Sequence, residues 1–242
     1  MTVLVAGASG ATGRLLVKQL LDRGIEVKVI VRDPERLPEF STNKNLLSII
    51  TAGISEIDAA KLSQHLTGCD AVVSCLGHNL TWKGIYGHPQ KLVTDATRRF
   101  CNAIKANNLE KPIKYILMNT SGNRNRDLTE SISFGEKIVI GLIRLLLPPH
   151  RDNEMAADYL RTKIGQNNQN IEWVAVRPDS LVDEETVSNY EVHASPIRSA
   201  IFNAGQTSRI NVGNLMAELI TNDKTWKKWK GQMPVIYNAA AN

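Results

Sequence analysis

Three groups of residues in this chain of 242 have types and spacing suited to chemistry. His150 and Glu154 stand four apart, with Asp158 four further on, so a helix would carry all three on one face. A carboxylate beside an imidazole orients the ring and raises its pKa, which makes His150 a candidate general acid with Glu154 as its partner. The same positions near a helix N-terminus also suit the helix dipole or a cap. The run Tyr159-Leu160-Arg161-Thr162-Lys163 pairs a phenol that could exchange a proton with a carbonyl and a lysine that could lower its pKa. Asn119-Thr120-Ser121-Gly122 ends an apolar run with two hydroxyls, and Ser121 is the candidate for polarising a carbonyl.

Such groups need a ligand held against them, and the first thirteen residues supply the frame. Thr2-Val3-Leu4-Val5-Ala6 reads as a strand, and Gly7-Ala8-Ser9-Gly10-Ala11-Thr12-Gly13 as a tight turn. Arg14 to Leu21 then reads as a helix. That order fits a dinucleotide: Gly7 permits the turn, Gly10 and Ala11 let the backbone approach a pyrophosphate, and Gly13 allows close helix–strand packing. Ser9 and Thr12 offer hydroxyls to the same phosphates. The second strand ends in Val31-Arg32-Asp33-Pro34. An acidic residue there would bond a ribose diol, whereas Arg32 presents a fork for a 2′-phosphate. NADP(H) is therefore the expected cofactor, with Arg36 as a second phosphate contact and Asp33 as a turn residue. Ser121 then has a second candidate role on the nicotinamide ribose. No metal is expected at His150, Glu154 and Asp158, because this cofactor chemistry needs none.

Short apolar runs alternate with helical patterns along the chain. Strands are expected at 2–6, 26–31, 47–51, 71–75, 114–119 and 171–176. Helices are expected at 13–23, 59–67, 91–107, 149–165 and 211–221. Most strands lack polar alternation, as in a parallel sheet covered on both faces. The expected fold class is α/β: a doubly wound parallel sheet in three αβα layers, forming one domain over residues 1–242. Two segments depart from the rhythm, near 122–148 and 183–208, the second reading as irregular. Both fall where a substrate would be covered. The apolar helix at 134–147 is a candidate lid, membrane-touching face, homodimer surface or simple packing element. Gly77 to His88 is long for a βα loop and reads as a substrate loop, with His78 nearest the strand end. His88 and His193 read as surface residues.

The net charge of +5 is mildly basic and scattered apart from Lys227-Lys228-Trp229-Lys230, whose indoles read as core. Nucleic acid is not an expected partner; a small-molecule substrate is. Three cysteines, Cys69, Cys75 and Cys101, lack metal or disulfide spacing and fit a reducing, cytoplasmic compartment. The first strand begins at residue 2, so no cleaved signal peptide is expected, and the most apolar run is too short to span a bilayer.

The glycine turn with Val31-Arg32-Asp33-Pro34 resembles the atypical short-chain dehydrogenase/reductase group, the NmrA-like and flavin/biliverdin-reductase-like NAD(P)-binding proteins. Ala71 to Gly77, Asn119 to Gly122 and Val176-Arg177-Pro178 are similar to further blocks of that group. The resemblance implies that Cys75, Leu76 and Gly77 pass the adenosine ribose, that Thr120 and Ser121 lie beside the nicotinamide, and that Pro178, Asp179 and Ser180 flank its amide. Thr51-Ala52-Gly53-Ile54-Ser55 departs from the group, which has an Asp there for adenine. By the group's register, Ala156 to Arg161 fills the later part of the catalytic helix. His150 then occupies the Tyr position and Glu154 the Lys position, and Tyr159 lies roughly 13 Å beyond the active end. The implied function is an NADPH-dependent oxidoreductase acting on a small carbonyl, quinone or flavin-like substrate. The alternative is a catalytically weak NADP(H) sensor.

Overall fold

The computed structural model describes residues 1–78, 81–107, 110–130 and 132–239. Ten strands and eight helices alternate: β1 (Thr2–Ala6), α1 (Ala11–Asp22), β2 (Glu26–Val31), β3 (Leu47–Thr51), α2 (Ala59–Leu66), β4 (Ala71–Ser74) and α3 (Trp82–Tyr86) come first. Then follow α4 (Leu92–Ala106), β5 (Ile113–Met118), α5 (Phe134–Leu146), α6 (Pro148–Tyr159), β6 (Ile171–Pro178), β7 (Ser180–Val182) and β8 (Tyr190–His193). The last four are β9 (Gln206–Ser208), α7 (Arg209–Thr221), α8 (Asp223–Trp229) and β10 (Val235–Asn238).

Eight strands form one sheet in the order β3-β2-β1-β4-β5-β6-β10-β8. All its pairings are parallel except β10 with β8. The first six positions are the doubly wound order, with the direction of winding reversing between β1 and β4. Val3, Val5, Val73 and Val174 face one apolar layer under α1 and α7, and Leu4, Val72, Leu117 and Trp173 face the other under α2, α4 and α6. Both faces are therefore dry, which accounts for the unbroken apolar runs.

The region 183–208 departs from the irregular stretch expected of it. It holds β8, and β9 pairs with β7 in a separate small sheet. These strands are three or four residues long, so their pairing partners decide them more than their own pattern does. Trp226 and Trp229 lie in the core, and Lys228 stands 4.8 Å over the Trp229 ring. Among the described residues, no helix is long and apolar enough to cross a membrane.

Candidate functional site

The carboxyl ends of β1 and β4 meet at the glycine turn. Gly7 has φ +82°, and a Cβ there would stand 2.6 Å from the Cys75 carbonyl carbon, so only glycine fits both the dihedral and the space. A Cβ on Gly13 would stand 2.1 Å from the Gly7 carbonyl oxygen. Gly10 starts α1 with no side-chain cap, although its N–H donates 3.0 Å to Gly7 O. The first-turn N–H groups of α1 are thus left facing outward, and with the helix dipole they form an anion seat. Ser9 is half-buried at the rim and Thr12 is 5% exposed, while Ala11 lies exposed.

Arg32 lies exposed just past β2 and makes no ion pair among the described residues. Asp33 next to it accepts 3.1 Å from the Glu35 N–H, capping a short turn that Pro34 begins. Arg36 is also exposed. Cys75, Leu76 and Gly77 continue past β4; burial pushes the Cys75 thiol up to about 12, which makes it a packing sulfur and no nucleophile.

At the next switch of the chain, β5 delivers Asn119, Thr120 and Ser121. The Asn119 amide donates 2.9 Å to the Asn153 carbonyl, fixing this strand end to α6. Ser121 Oγ donates 3.0 Å to Asp179 Oδ1, while the Gly205 N–H donates 2.9 Å to Asp179 Oδ2. The Ser121 N–H donates to Pro178 O at 2.9 Å. Ser121, Pro178 and Asp179 are therefore brought together, and the Ser121 hydroxyl proton is committed to the carboxylate. Thr120 Oγ1 accepts from the Gly122 N–H at 3.4 Å and keeps its own proton for donation. Ser180 is exposed and opens β7.

His150 sits one turn into α6, directly over Gly122. A Cβ on Gly122 would be 3.4 Å from His150 Cε1 and 3.8 Å from Thr120 Oγ1, so imidazole and hydroxyl flank the same glycine. His150 Nε2 is 3.4 Å from Glu154 Oε1 and has no aligned hydrogen bond. Arg144 of α5 grips Glu154 with two N–H donors: Nε shared between both carboxylate oxygens at 2.9 and 2.8 Å, and Nη2 to Oε1 at 2.7 Å. Burial works to raise the Glu154 carboxyl, but His150 and Arg144 outweigh it and hold it at about 2. Arg144 leaves only one signal in the sequence, a lone charge inside the apolar run 138–147. Asp158 faces elsewhere, paired with Arg126 at 2.7 Å and Arg161 at 3.2 Å. Among the described residues no cluster of acidic, His or Cys side chains is arranged to hold a metal ion.

Tyr159 ends this helix, and Lys163 lies in the π-helical segment Leu160–Ile164 that continues it. The Tyr159 ring packs on the core with Arg98 5.7 Å from its centroid, and burial raises its phenol. Lys163 is exposed. That environment is opposite to the one that activates a phenol.

His78 is sequestered: Nε2 is 2.8 Å from Asp152 Oδ2 and Nδ1 is 3.2 Å from the Gly84 carbonyl. Asp152 also accepts the Val93 and Thr94 N–H groups at 2.8 and 2.9 Å, so it caps α4 from a neighbouring helix. Burial pushes the Asp152 carboxyl up, but the bonds from His78, Thr94 and Val93 prevail and hold it below its usual value. Asn79 and Leu80 of the expected substrate loop lie outside the described residues. His88 is exposed, and His193 pairs with Glu191 at 3.0 Å.

Arg177 is wholly buried beneath the site. It pairs with Glu130 at 2.7 Å and donates to the carbonyls of Met233, Asn123 and Ala194 at 2.6, 2.8 and 3.1 Å. This pins the segment after β5 to β6 and to the residues after β8.

The chain matches the model of a family described as NAD(P)H-binding over residues 7–223. A dihydroflavonol 4-reductase of Arabidopsis thaliana is 39% identical over 77 residues, which is 29% of this chain and 20% of that protein. An uncharacterised chloroplastic protein of the same plant is 44% identical over 54 residues, 22% of this chain and 19% of that one. The chain thus aligns with about a fifth of the length of these relatives. Among solved structures it superposes on the oxidoreductase ylbE from Lactococcus lactis with TM-score 0.69 and 16% identity, over 100% of this chain and 92% of that one. A short-chain dehydrogenase/reductase (wide type) from Veillonella parvula, solved in complex with NADP, gives 0.69 and 15%, over 99% and 95%. Both share the Rossmann architecture. With the glycine cradle at its head and the family match running from that cradle to α8, the chain belongs to the NAD(P)H-binding family.

Proposed function

We propose that the protein is an NADPH-dependent oxidoreductase that reduces a small carbonyl, quinone or flavin-like acceptor. His150 carries the reading: an imidazole over the carboxyl end of β5, beside the Thr120 hydroxyl, backed by a carboxylate that Arg144 keeps ionised. The cradle from Gly7 to Gly13 fits a pyrophosphate, since a side chain at Gly7 or Gly13 would strike backbone. Ser9 and Thr12 would add hydroxyl contacts, and Arg32, with Arg36, would take the 2′-phosphate. Cys75, Leu76 and Gly77 would run beside the adenosine ribose. Thr120 and Pro178 would border the nicotinamide. Bound NADPH would supply a hydride.

The chain's own part is then proton delivery and orientation. His150 would hold the proton destined for the substrate oxygen, and Thr120 would donate a hydrogen bond to that oxygen. Glu154 would stand behind the ring as its carboxylate partner, 3.4 Å from Nε2. Ser121 would act through Asp179, setting the wall made by Pro178. A second reading, an NADP(H) sensor, is favoured by the distance of Tyr159 and Lys163 from the strand ends.

NADPH oxidation against a panel of quinones, aldehydes and flavins separates the two. His150→Ala is expected to lower turnover by roughly 10²-fold or more with NADPH affinity unchanged. Absence of turnover on the whole panel, with NADPH and NADP+ bound equally well, would establish the sensor instead. Arg32→Ala is expected to weaken NADPH by roughly tenfold or more while leaving NADH unchanged; an equal effect on both cofactors refutes the phosphate assignment.

A further inference from the structure

The outer face of α5 is apolar. Phe134 and Leu145 are 77% and 78% exposed, and Ile138, Leu142 and Leu146 are more than half exposed. Only Glu136 and Ile140 of this helix are buried. At its C-terminal end the Tyr86 hydroxyl donates 3.1 Å to the Leu146 carbonyl, and Tyr86 stacks on Trp82, which is 82% exposed. At its N-terminal end the exposed Phe202 ring lies over Gly135. The patch is therefore continuous from Trp82 to Phe202. It amounts to on the order of 700 Å² of apolar surface, beyond the roughly 300–600 Å² of the largest patch on an ordinary monomer.

The charges that the segments of this face carry outward have one sign, and Asp158, which borders Gly141 and Leu145, is neutralised by Arg126 and Arg161. Segments 81–91, 134–151 and 197–204 together carry six Lys and Arg and a single acidic residue, Glu136. Glu136 is 8% exposed and is occupied by Ser133 and Ser199, so it presents no charge outward. Lys91, Lys137, Arg151 and Arg198 are all exposed. A helix with aliphatic and aromatic residues outward, an exposed Trp–Tyr pair and a rim with net positive charge has the composition of an element that lies in a lipid interface. Two copies meeting on this face would instead set two cationic rims against each other, which opposes self-association. At 13 residues α5 extends about 20 Å, enough to lie on a bilayer and too little to cross it.

We propose that this face docks the protein peripherally on an anionic lipid bilayer, with α5, Trp82 and Tyr86 in the headgroup region and the four cations against the lipid charge. The proposal is independent of the assigned reaction. The other three tryptophans, Trp173, Trp226 and Trp229, are each no more than 5% exposed, so a change in tryptophan emission reports on Trp82.

The full-length protein is mixed with vesicles of phosphatidylcholine alone or enriched in phosphatidylglycerol, and co-sedimentation and emission are recorded. Binding to the anionic vesicles with a blue shift that Trp82→Phe abolishes is expected, together with release at high salt. Lys137→Ala should weaken binding about fivefold. Phe134→Ser and Leu145→Ser should each weaken it roughly tenfold. Both side chains are largely exposed, so the melting temperature should hold and failure to bind cannot be ascribed to misfolding. No binding to anionic vesicles at low salt would overturn the proposal. So would a dimer in solution that Leu145→Ser makes monomeric while wild type ignores vesicles; that result would assign the face to a second copy.

Discussion

Replacing Arg177 with Met is expected to cost the fold about 4 kcal/mol, within the range for removing one partner of a buried ion pair. The two side chains are 0% and 2% exposed, so the Glu130 carboxylate cannot recover the lost interaction from water. The Asn125 N–H still donates 2.8 Å to Glu130, which compensates only in part. The three carbonyls that Arg177 serves lose their donors as well. Met matches the aliphatic stem of Arg, so little of the cost is cavity. For a chain of this length 4 kcal/mol corresponds to a fall in Tm of roughly 8–16 °C. Urea unfolding followed by circular dichroism measures it, with an unchanged m-value as the condition for reading it as stability. Adding Glu130→Leu to Arg177→Met should recover about 2 kcal/mol, because the unpaired charge goes while the carbonyls remain unserved. A cost below about 1 kcal/mol for the single variant would refute the reasoning, as would a double variant that merely sums the singles.

Two further outcomes follow from the site. Gly13→Ala puts a methyl 2.1 Å from a backbone oxygen that cannot swing aside, so NADPH affinity should fall at least roughly tenfold by fluorescence titration and Tm should drop with it. Glu154 is held down at about 2 in the folded protein against 4.5 for the free side chain. Its contribution, on the order of 2 kcal/mol, is therefore present above about pH 4.5 and is lost as pH falls towards 2. Glu154→Gln should flatten that part of the pH–stability curve; an unchanged acid limb would sink the assignment.

Legibility in the sequence followed the range of the interactions. β1, β2 and β3 begin and end where the apolar runs do; β1 and β2 bury most of their residues, whereas β3 is an edge strand with Ser48, Ile49 and Thr51 exposed. The glycine turn was readable because its constraints are local: a positive φ at Gly7 and a crowded Cβ at Gly13 concern residues at most six apart, apart from the Cys75 backbone. β10 was not. Its four residues Val235-Ile236-Tyr237-Asn238 are too few for a period, and only pairing with Arg177 and Pro178 makes them a strand. β8 in turn exists as the antiparallel neighbour of β10. The buried ties were the least legible part. His78 and Asp152 are 74 residues apart, and neither position carries a local sign that the other will meet it. Arg177 did leave one sign, a cation directly after the apolar run Trp173 to Val176, which a sheet buried on both faces cannot tolerate without a partner.

Those ties share a location, and the location has a physical reason. Beyond the carboxyl ends of the strands the sheet has stopped, so the segments there cannot be held by a ladder or by an apolar core of their own. Each is instead fixed by a polar side-chain pair reaching back to the scaffold. His78–Asp152 fastens the segment after β4 to α4 and α6, Arg177–Glu130 fastens the segment after β5 to β6, and Arg144–Glu154 fastens α5 to α6. The first two are buried on both sides; such pairs contribute little net stability against apolar alternatives, but they tolerate few other geometries. The third is the informative one. Arg144 belongs to the helix whose outer face is apolar, and the carboxylate it grips is the one behind His150, so α5 and the imidazole border the same carboxylate.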